Sequence, residues 1–137
     1  MEHLPSWLLT QTAAHAGRLV TERFAEVGAR GYHYRLLATL LDGPASQAEL
    51  GRRTGIHLSD MVAVLNELTA DGYVERSPDP ADKRRNVVTI TGRGRERAAE
   101  LAARAEAIQD ELLAPLTTAE RAELVRLLSL LRGAAPA

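Results

Sequence analysis

The hydrophobic period changes twice along this chain, and no other feature limits its fold as much. Before residue 73 and after residue 91 the apolar residues recur at helical spacing. Between those points they alternate. Tyr73-Val74-Glu75-Arg76 and Asn86-Val87-Val88-Thr89-Ile90-Thr91 read as two strands. The link between them, Ser77 to Arg85, is polar, charged and broken by Pro78 and Pro80, so the two strands form a hairpin. An isolated hairpin is marginal in water. This one must lean on the helices around it, which predicts a mainly α chain with a small β-hairpin.

The spacing predicts a first helix over about 6–27, with Leu9, Ala13, Ala16, Val20, Phe24 and Val27 as one apolar stripe. Ser6 is expected to cap its start, and Gly28 and Gly31 to end it. A second helix covers about 33–42, with Leu36, Leu37, Leu40 and Leu41 inward, and Asp42-Gly43-Pro44 stops it. Ser46-Gln47-Ala48-Glu49 is a capping box that opens a short third helix over about 46–53. A fourth spans about 58–70, with Met61, Val64, Leu65 and Leu68 on one face, and closes at Asp71-Gly72. After the hairpin comes a long helix, about 92–114, in which Ala98, Leu101, Ala105, Ile108 and Leu112 keep heptad spacing. Pro115 breaks it, and Thr117-Thr118-Ala119-Glu120 caps a last helix to about 132, whose inward face is Leu124, Leu127, Leu128 and Leu131.

The third and fourth helices with the hairpin make a helix-turn-helix followed by a β-wing. The expected fold class is therefore a winged helix-turn-helix with N- and C-terminal dimerisation helices. The expected segments are 1–32 for the first dimerisation helix, 33–91 for the winged domain and 92–137 for the last dimerisation helices. The outer helices carry more apolar surface than a winged domain can cover, which points to a homodimer.

Several functions are set aside by what the chain lacks. It has no cysteine, so thiolate metal sites, cysteine nucleophiles and thiol-based oxidant sensing are excluded. His3, His15, His33 and His57 show no ligand spacing, no phosphate-binding or nucleophile-elbow motif occurs, and Gly92-Arg93-Gly94 reads as a helix start. No catalytic residue, metal or cofactor is expected, and no enzyme. No apolar run reaches the ~18 residues of a membrane span, and no signal peptide is recognisable, so the expected location is the cytoplasm. Formal net charge is only −1, yet residues 83–97 hold Lys83, Arg84, Arg85, Arg93, Arg95 and Arg97 against Glu96 alone. A neutral chain with one basic strip suits local contact with an anion. Within that strip Arg93, Arg95 and Arg97 read as a solvated helix face.

The stretch Leu65-Asn66-Glu67-Leu68, Asp71-Gly72-Tyr73-Val74-Glu75-Arg76, Asp79-Pro80-Ala81-Asp82-Lys83-Arg84 and Val88-Thr89-Ile90-Thr91 resembles the MarR family of winged helix-turn-helix transcriptional regulators. The resemblance implies a sequence-specific regulator of double-stranded DNA, with repression as the expected sense. The fourth helix would enter the major groove, presenting His57, Ser59, Asp60 and Ala63 to base edges, where Asp60 can accept from cytosine N4. Arg84 at the wing tip suits the narrow minor groove, with Asp82 holding its guanidinium or fixing the loop. Lys83 and Arg85 are expected at phosphates, with Gln47 at the start of the third helix. Arg52, Arg53 and Arg76 complete the DNA-binding set. Residues 56–70 contain no lysine or arginine, so affinity is expected to lean on Arg52, Arg53, the wing and dimerisation. The resemblance also implies a small aromatic or phenolic effector, bound between the dimer helices and the winged domain, with Trp7, His15, Tyr32, Tyr34 and Arg35 as candidate contacts. An alternative function is a winged-helix protein-interaction adaptor without DNA binding, suggested by the uncharged Val62-Ala63 pair and by Asp60.

Overall fold

The computed structural model describes residues 1–133; the last four residues of the expected 92–137 segment lie outside the described residues. The element order is α1 (Pro5–Ala25), α2 (Gly31–Leu40), β1 (Ala45–Ser46), α3 (Gln47–Thr54), α4 (Leu58–Ala70), β2 (Val74–Pro78), β3 (Asn86–Ile90), α5 (Gly92–Leu112) and α6 (Thr118–Arg132). The chain forms two compact units. One joins Met1–Gly28 to the segment from Arg104 onward, and the other is Ala29–Ala103.

The second unit is the winged helix-turn-helix. Its core is built by Leu36, Leu37 and Leu40 of α2, Leu50 of α3, Met61, Val64, Leu65 and Leu68 of α4, and Val74, Val88 and Ile90 of the strands, all buried. Leu41, expected inward, is 43% exposed because α2 has already ended and its backbone turns at Gly43. The sheet has three antiparallel strands in the order β1-β3-β2. The hairpin register pairs Val74 with Ile90 and Pro78 with Asn86. Two residues before α3, Ala45 and Ser46, pair with Val88 and Val87 and supply the strand that sequence reading missed.

Helix ends follow local chemistry. In α1, Pro5 occupies the first turn and Leu4 is the N-cap with no side-chain bond, so Ser6 is not the cap; its carbonyl accepts from the Thr10 hydroxyl. Proline suits that position because its missing N–H would be unpaired anyway. Gly28, at φ +67, ends the α1 region, whereas Gly31 opens α2 instead of closing α1. Only half of the box at Ser46 forms: its hydroxyl accepts from the Glu49 N–H at 3.2 Å. The Glu49 carboxylate instead faces Arg85 at 3.9 Å. The box at Thr117 is complete, with the Thr117 N–H donating to Glu120 at 2.9 Å and the Glu120 N–H to the Thr117 hydroxyl at 3.2 Å.

In the other unit Leu19, Phe24 and Ile108 are buried. Arg23 makes a bidentate pair with Glu111 at 2.9 and 2.7 Å, and Glu26 joins Arg23 to Arg104. The Arg23 bond holds the Glu111 carboxyl below its ordinary value. The apolar row of α6 has no cover among the described residues: Leu127 and Leu128 are exposed, Leu130 is 67% and Leu131 71% exposed.

Candidate nucleic-acid interface

The candidate residues lie on α3, on the outer face of α4, on β2 and on the wing between β2 and β3. Helix α4 is bounded by His57, whose Nδ1 accepts from the Ser59 N–H at 3.3 Å and meets the Ser59 hydroxyl at 2.9 Å. At its other end Gly72 turns with φ +77, a conformation that glycine adopts without Cβ strain. The buried row of α4 leaves His57, Ser59, Asp60 and Ala63 exposed, together with Leu58 and Val62.

The wing tip is built on two aspartates. The Asp79 carboxylate accepts from the Ala81 N–H at 2.9 Å, and the Asp79 N–H donates to the Arg85 carbonyl at 2.8 Å. Asp82 accepts from the Arg84 N–H and from Arg84 Nε, both at 3.1 Å. Short acidic side chains that bond backbone two residues on are a favoured turn device. The Arg84 side-chain bond holds the Asp82 carboxyl below its ordinary value, aided by its backbone bond and by the charge of Arg85. The Arg84 side chain is nonetheless 91% exposed. It is a cation whose base is anchored and whose face is open.

The remaining cations divide by engagement. Lys83 and Arg52 are exposed, with no ion-pair partner among the described residues. Arg53 donates to Asp42 at 3.1 Å. Arg85 donates to the Ser46 hydroxyl at 3.1 Å and so ties the wing to the start of α3. Ser46, Gln47, Ala48, Arg84, Arg85 and Asn86 line a cleft of about 250 Å³ there. A helix N-terminus beside two guanidinium groups suits an anion. Arg76 reaches from β2 to the outer face of α4 and donates to Asn66 Oδ1 at 2.9 Å.

Two clusters escaped sequence reading. Glu67 of α4 accepts from Arg30 at 3.0 Å and meets His33 Nε2 at 2.6 Å. The Arg30 N–H donates to His33 Nδ1, so the ring proton sits on Nε2 and donates to Glu67. The His33 bond leads in holding the Glu67 carboxyl below its ordinary value, followed by the charge of Arg30. In the second cluster, Arg93 and Arg97 lie over the Tyr73 ring at 5.0 and 5.7 Å, and Arg93 Nε donates to the Asp71 carbonyl at 2.9 Å. Arg97, whose side chain is 13% exposed, is therefore not part of a solvated face, whereas Arg93 and Arg95 are exposed as expected. Arg93 and Arg97 fasten the start of α5 to the end of α4, because stacking and capping offer the guanidinium more than water does there.

The residues expected at an effector lie on two helices. Trp7 and His15 are on α1, Trp7 half-buried and His15 exposed. On α2, Tyr32 and Tyr34 are half-buried, and Arg35 lies over the Tyr32 ring at 5.4 Å and donates to the Thr54 carbonyl at 3.2 Å. Among the described residues no group of three metal-ligating side chains comes together, and no helix is long and apolar enough to cross a membrane.

Residues 27–85, from before α2 to the end of the wing loop, match the model of the MarR family. Over that stretch the chain is similar to the MarR family. Among the curated proteins it resembles, the transcriptional repressor NicR of Pseudomonas putida is 31% identical over 63% of this chain and 54% of its own length. The match thus spans about half of that curated relative. The solved structure of BpsR of Bordetella bronchiseptica, described with regulation of its DNA binding by 6-hydroxynicotinic acid, superposes at a TM-score of 0.86 with 26% identity, covering 98% of this chain and 96% of that one. A MarR variant from E. coli in complex with operator DNA superposes at 0.77 with 25% identity, covering 90% and 89%. The MarR fold is therefore matched from end to end, and these relatives are transcriptional regulators, not enzymes.

Proposed function

We propose that this chain is a homodimeric repressor that binds double-stranded DNA, with α4 in the major groove and Arg84 in the flanking minor groove. The observation that carries the reading is the wing tip. Arg84 is held at its base by Asp82 yet is 91% exposed, the arrangement a minor-groove arginine needs. The operator complex of the related MarR supports the same use of the fold. Lys83, Arg52 and Arg53 would add phosphate contacts, with Gln47 and Arg85 at the start of α3. A dimer would set the two recognition helices about one DNA turn apart, ~34 Å. Its support here is the uncovered row Leu127, Leu128, Leu130 and Leu131 on α6.

The effector in this reading is an aromatic acid of the class named for BpsR. Arg35 is the proposed partner of its carboxylate, with Tyr32, Tyr34, Trp7 and His15 as further candidates. An effector that binds one dimer geometry better than the other shifts the balance by its differential affinity.

The test is binding of the protein to a duplex from just upstream of its own coding region, against random-sequence duplex as competitor. Tight binding that random DNA competes poorly is expected, and an aromatic acid that releases the complex would identify the effector. A second reading, a protein-interaction adaptor, draws on Asp60 and on Leu58, which is 66% exposed on the supposed recognition face. Failure to bind any duplex at low salt, with retained dimer mass, would favour it.

A further inference from the structure

The outer face of α4 has an unusual make-up for a groove-reading helix. It carries no cation: residues 56–70 include no lysine or arginine. Its two carboxylates are differently engaged. Glu67 is held by Arg30 and His33. Asp60, in the first turn, has no hydrogen-bond or ion-pair partner among the described residues. Such a face cannot read guanine with an arginine fork of its own, and Asp60 repels phosphate.

What the face does present is hydrocarbon. Leu58 is 66% and Val62 44% exposed, and Ala63 is exposed beside them. At 3.6 residues per turn these positions point away from the buried row Met61, Val64, Leu65 and Leu68. The cations around this face come from other elements of the same unit. Arg76 from β2 brings a guanidinium to Asn66 at 2.9 Å, and the wing adds Lys83 and Arg84. An apolar centre at Leu58, Val62 and Ala63, with Asp60 beside it and cations supplied by other elements, suits a major groove, whose walls are phosphates and whose floor carries the C5-methyl groups of thymine.

Given the DNA-binding role proposed above, we infer that α4 reads its half-site through thymine methyl groups, with Val62 and Ala63 as the specificity-determining side chains and Leu58 beside them. The contacted steps of the operator are then A·T pairs, read by shape and hydrophobic contact. Hydrogen-bond readout has a smaller share than in helices that carry arginine.

The experiment has two stages. The full-length protein first enriches binding sites from a random-sequence duplex library. Each thymine of the enriched half-site is then replaced in turn by deoxyuridine, which removes only the methyl group. Loss of a contacted methyl is expected to weaken binding about fourfold, the cost of one unburied methylene-sized group. In the Val62→Ala protein, whose changed side chain lies at the surface, that penalty disappears at one thymine and persists at the others. Affinity within about twofold at every deoxyuridine position, on a site that the protein still binds tightly, would overturn the inference and leave DNA binding standing. No enriched sequence and no binding at low salt would overturn the DNA-binding role itself, and the inference with it.

Discussion

Replacing Gly94 by alanine should destabilise the protein, although alanine is the better helix former. Gly94 lies in the first turn of α5, and its N–H donates to the Thr91 hydroxyl at 3.0 Å. A Cβ there would overlap the Tyr73 carbonyl oxygen, lie 3.0 Å from its carbon and 2.7 Å from Ile90 Cγ1. The obstacle is backbone, and it is pinned from two sides: the Tyr73 N–H donates to the Leu68 carbonyl at 2.9 Å, and the Tyr73 carbonyl accepts from the Thr91 N–H at 3.0 Å. Overpacking of this kind costs about 1–3 kcal/mol, and an immovable partner puts the cost at the upper end. Helix propensity returns about 1 kcal/mol. The net loss is then about 2 kcal/mol, which for a chain of this size lowers Tm by about 8 °C. Gly17→Ala is the internal control. Gly17 sits in the middle of α1 with nothing within 4 Å of its would-be Cβ, so only the propensity gain of about 1 kcal/mol remains. Scanning calorimetry at one fixed protomer concentration reads both, which matters if the protein dimerises. A Gly94→Ala protein as stable as the parent, or shifts of the same sign for both variants, would refute the steric argument.

Three further outcomes are expected. Glu67→Gln should cost at most about 1 kcal/mol, because the pairs with Arg30 and His33 are half exposed. The Glu67 carboxyl is depressed in the fold, so its contribution is complete above the ordinary carboxylate value of about 4.3 and is lost as pH falls through the lower folded value. Denaturation curves of parent and variant should therefore converge only in strong acid, and a constant gap there would contradict the assignment. Thr117→Ala removes a complete capping box at the start of α6 and should cost about 1 kcal/mol, read by urea denaturation; no loss would mean that α6 is held by other contacts. Leu128→Asp with Leu131→Asp should leave the winged unit folded by circular dichroism and convert dimer to monomer in sedimentation, whereas an unchanged dimer mass would remove α6 from the interface.

The legible parts of this protein were those with signals inside one element. Helix α4 was placed at 58–70 because its four apolar core positions and the Gly72 turn lie within one short stretch. The wing was legible because its period and its polar loop differ from everything around them. The missed parts depend on residues far apart in sequence. Strand β1 is two residues long and exists only through pairing with Val87 and Val88. Glu67 meets His33 across 34 positions, and Arg93 and Arg97 fold onto Tyr73, which no spacing rule announces. Ser6 was a plausible cap by type, but Pro5 fixed the first turn one residue earlier. Of the candidate interface, the identity of the cations on α3, β2 and the wing was readable. Their division into open (Arg84, Lys83, Arg52) and engaged (Arg53, Arg76, Arg85) was not, because it rests on partners such as Asp42, Asn66 and Ser46.

The salt dependence of duplex binding, measured for the parent protein and for Arg84→Ala on the same DNA, tests the central claim most directly. The account predicts an affinity that falls linearly on a double-logarithmic plot for the parent, and a weaker affinity with a slope shallower by up to about one for the variant. Equal slopes with undiminished affinity, or no duplex binding by the parent even at low salt, would contradict it.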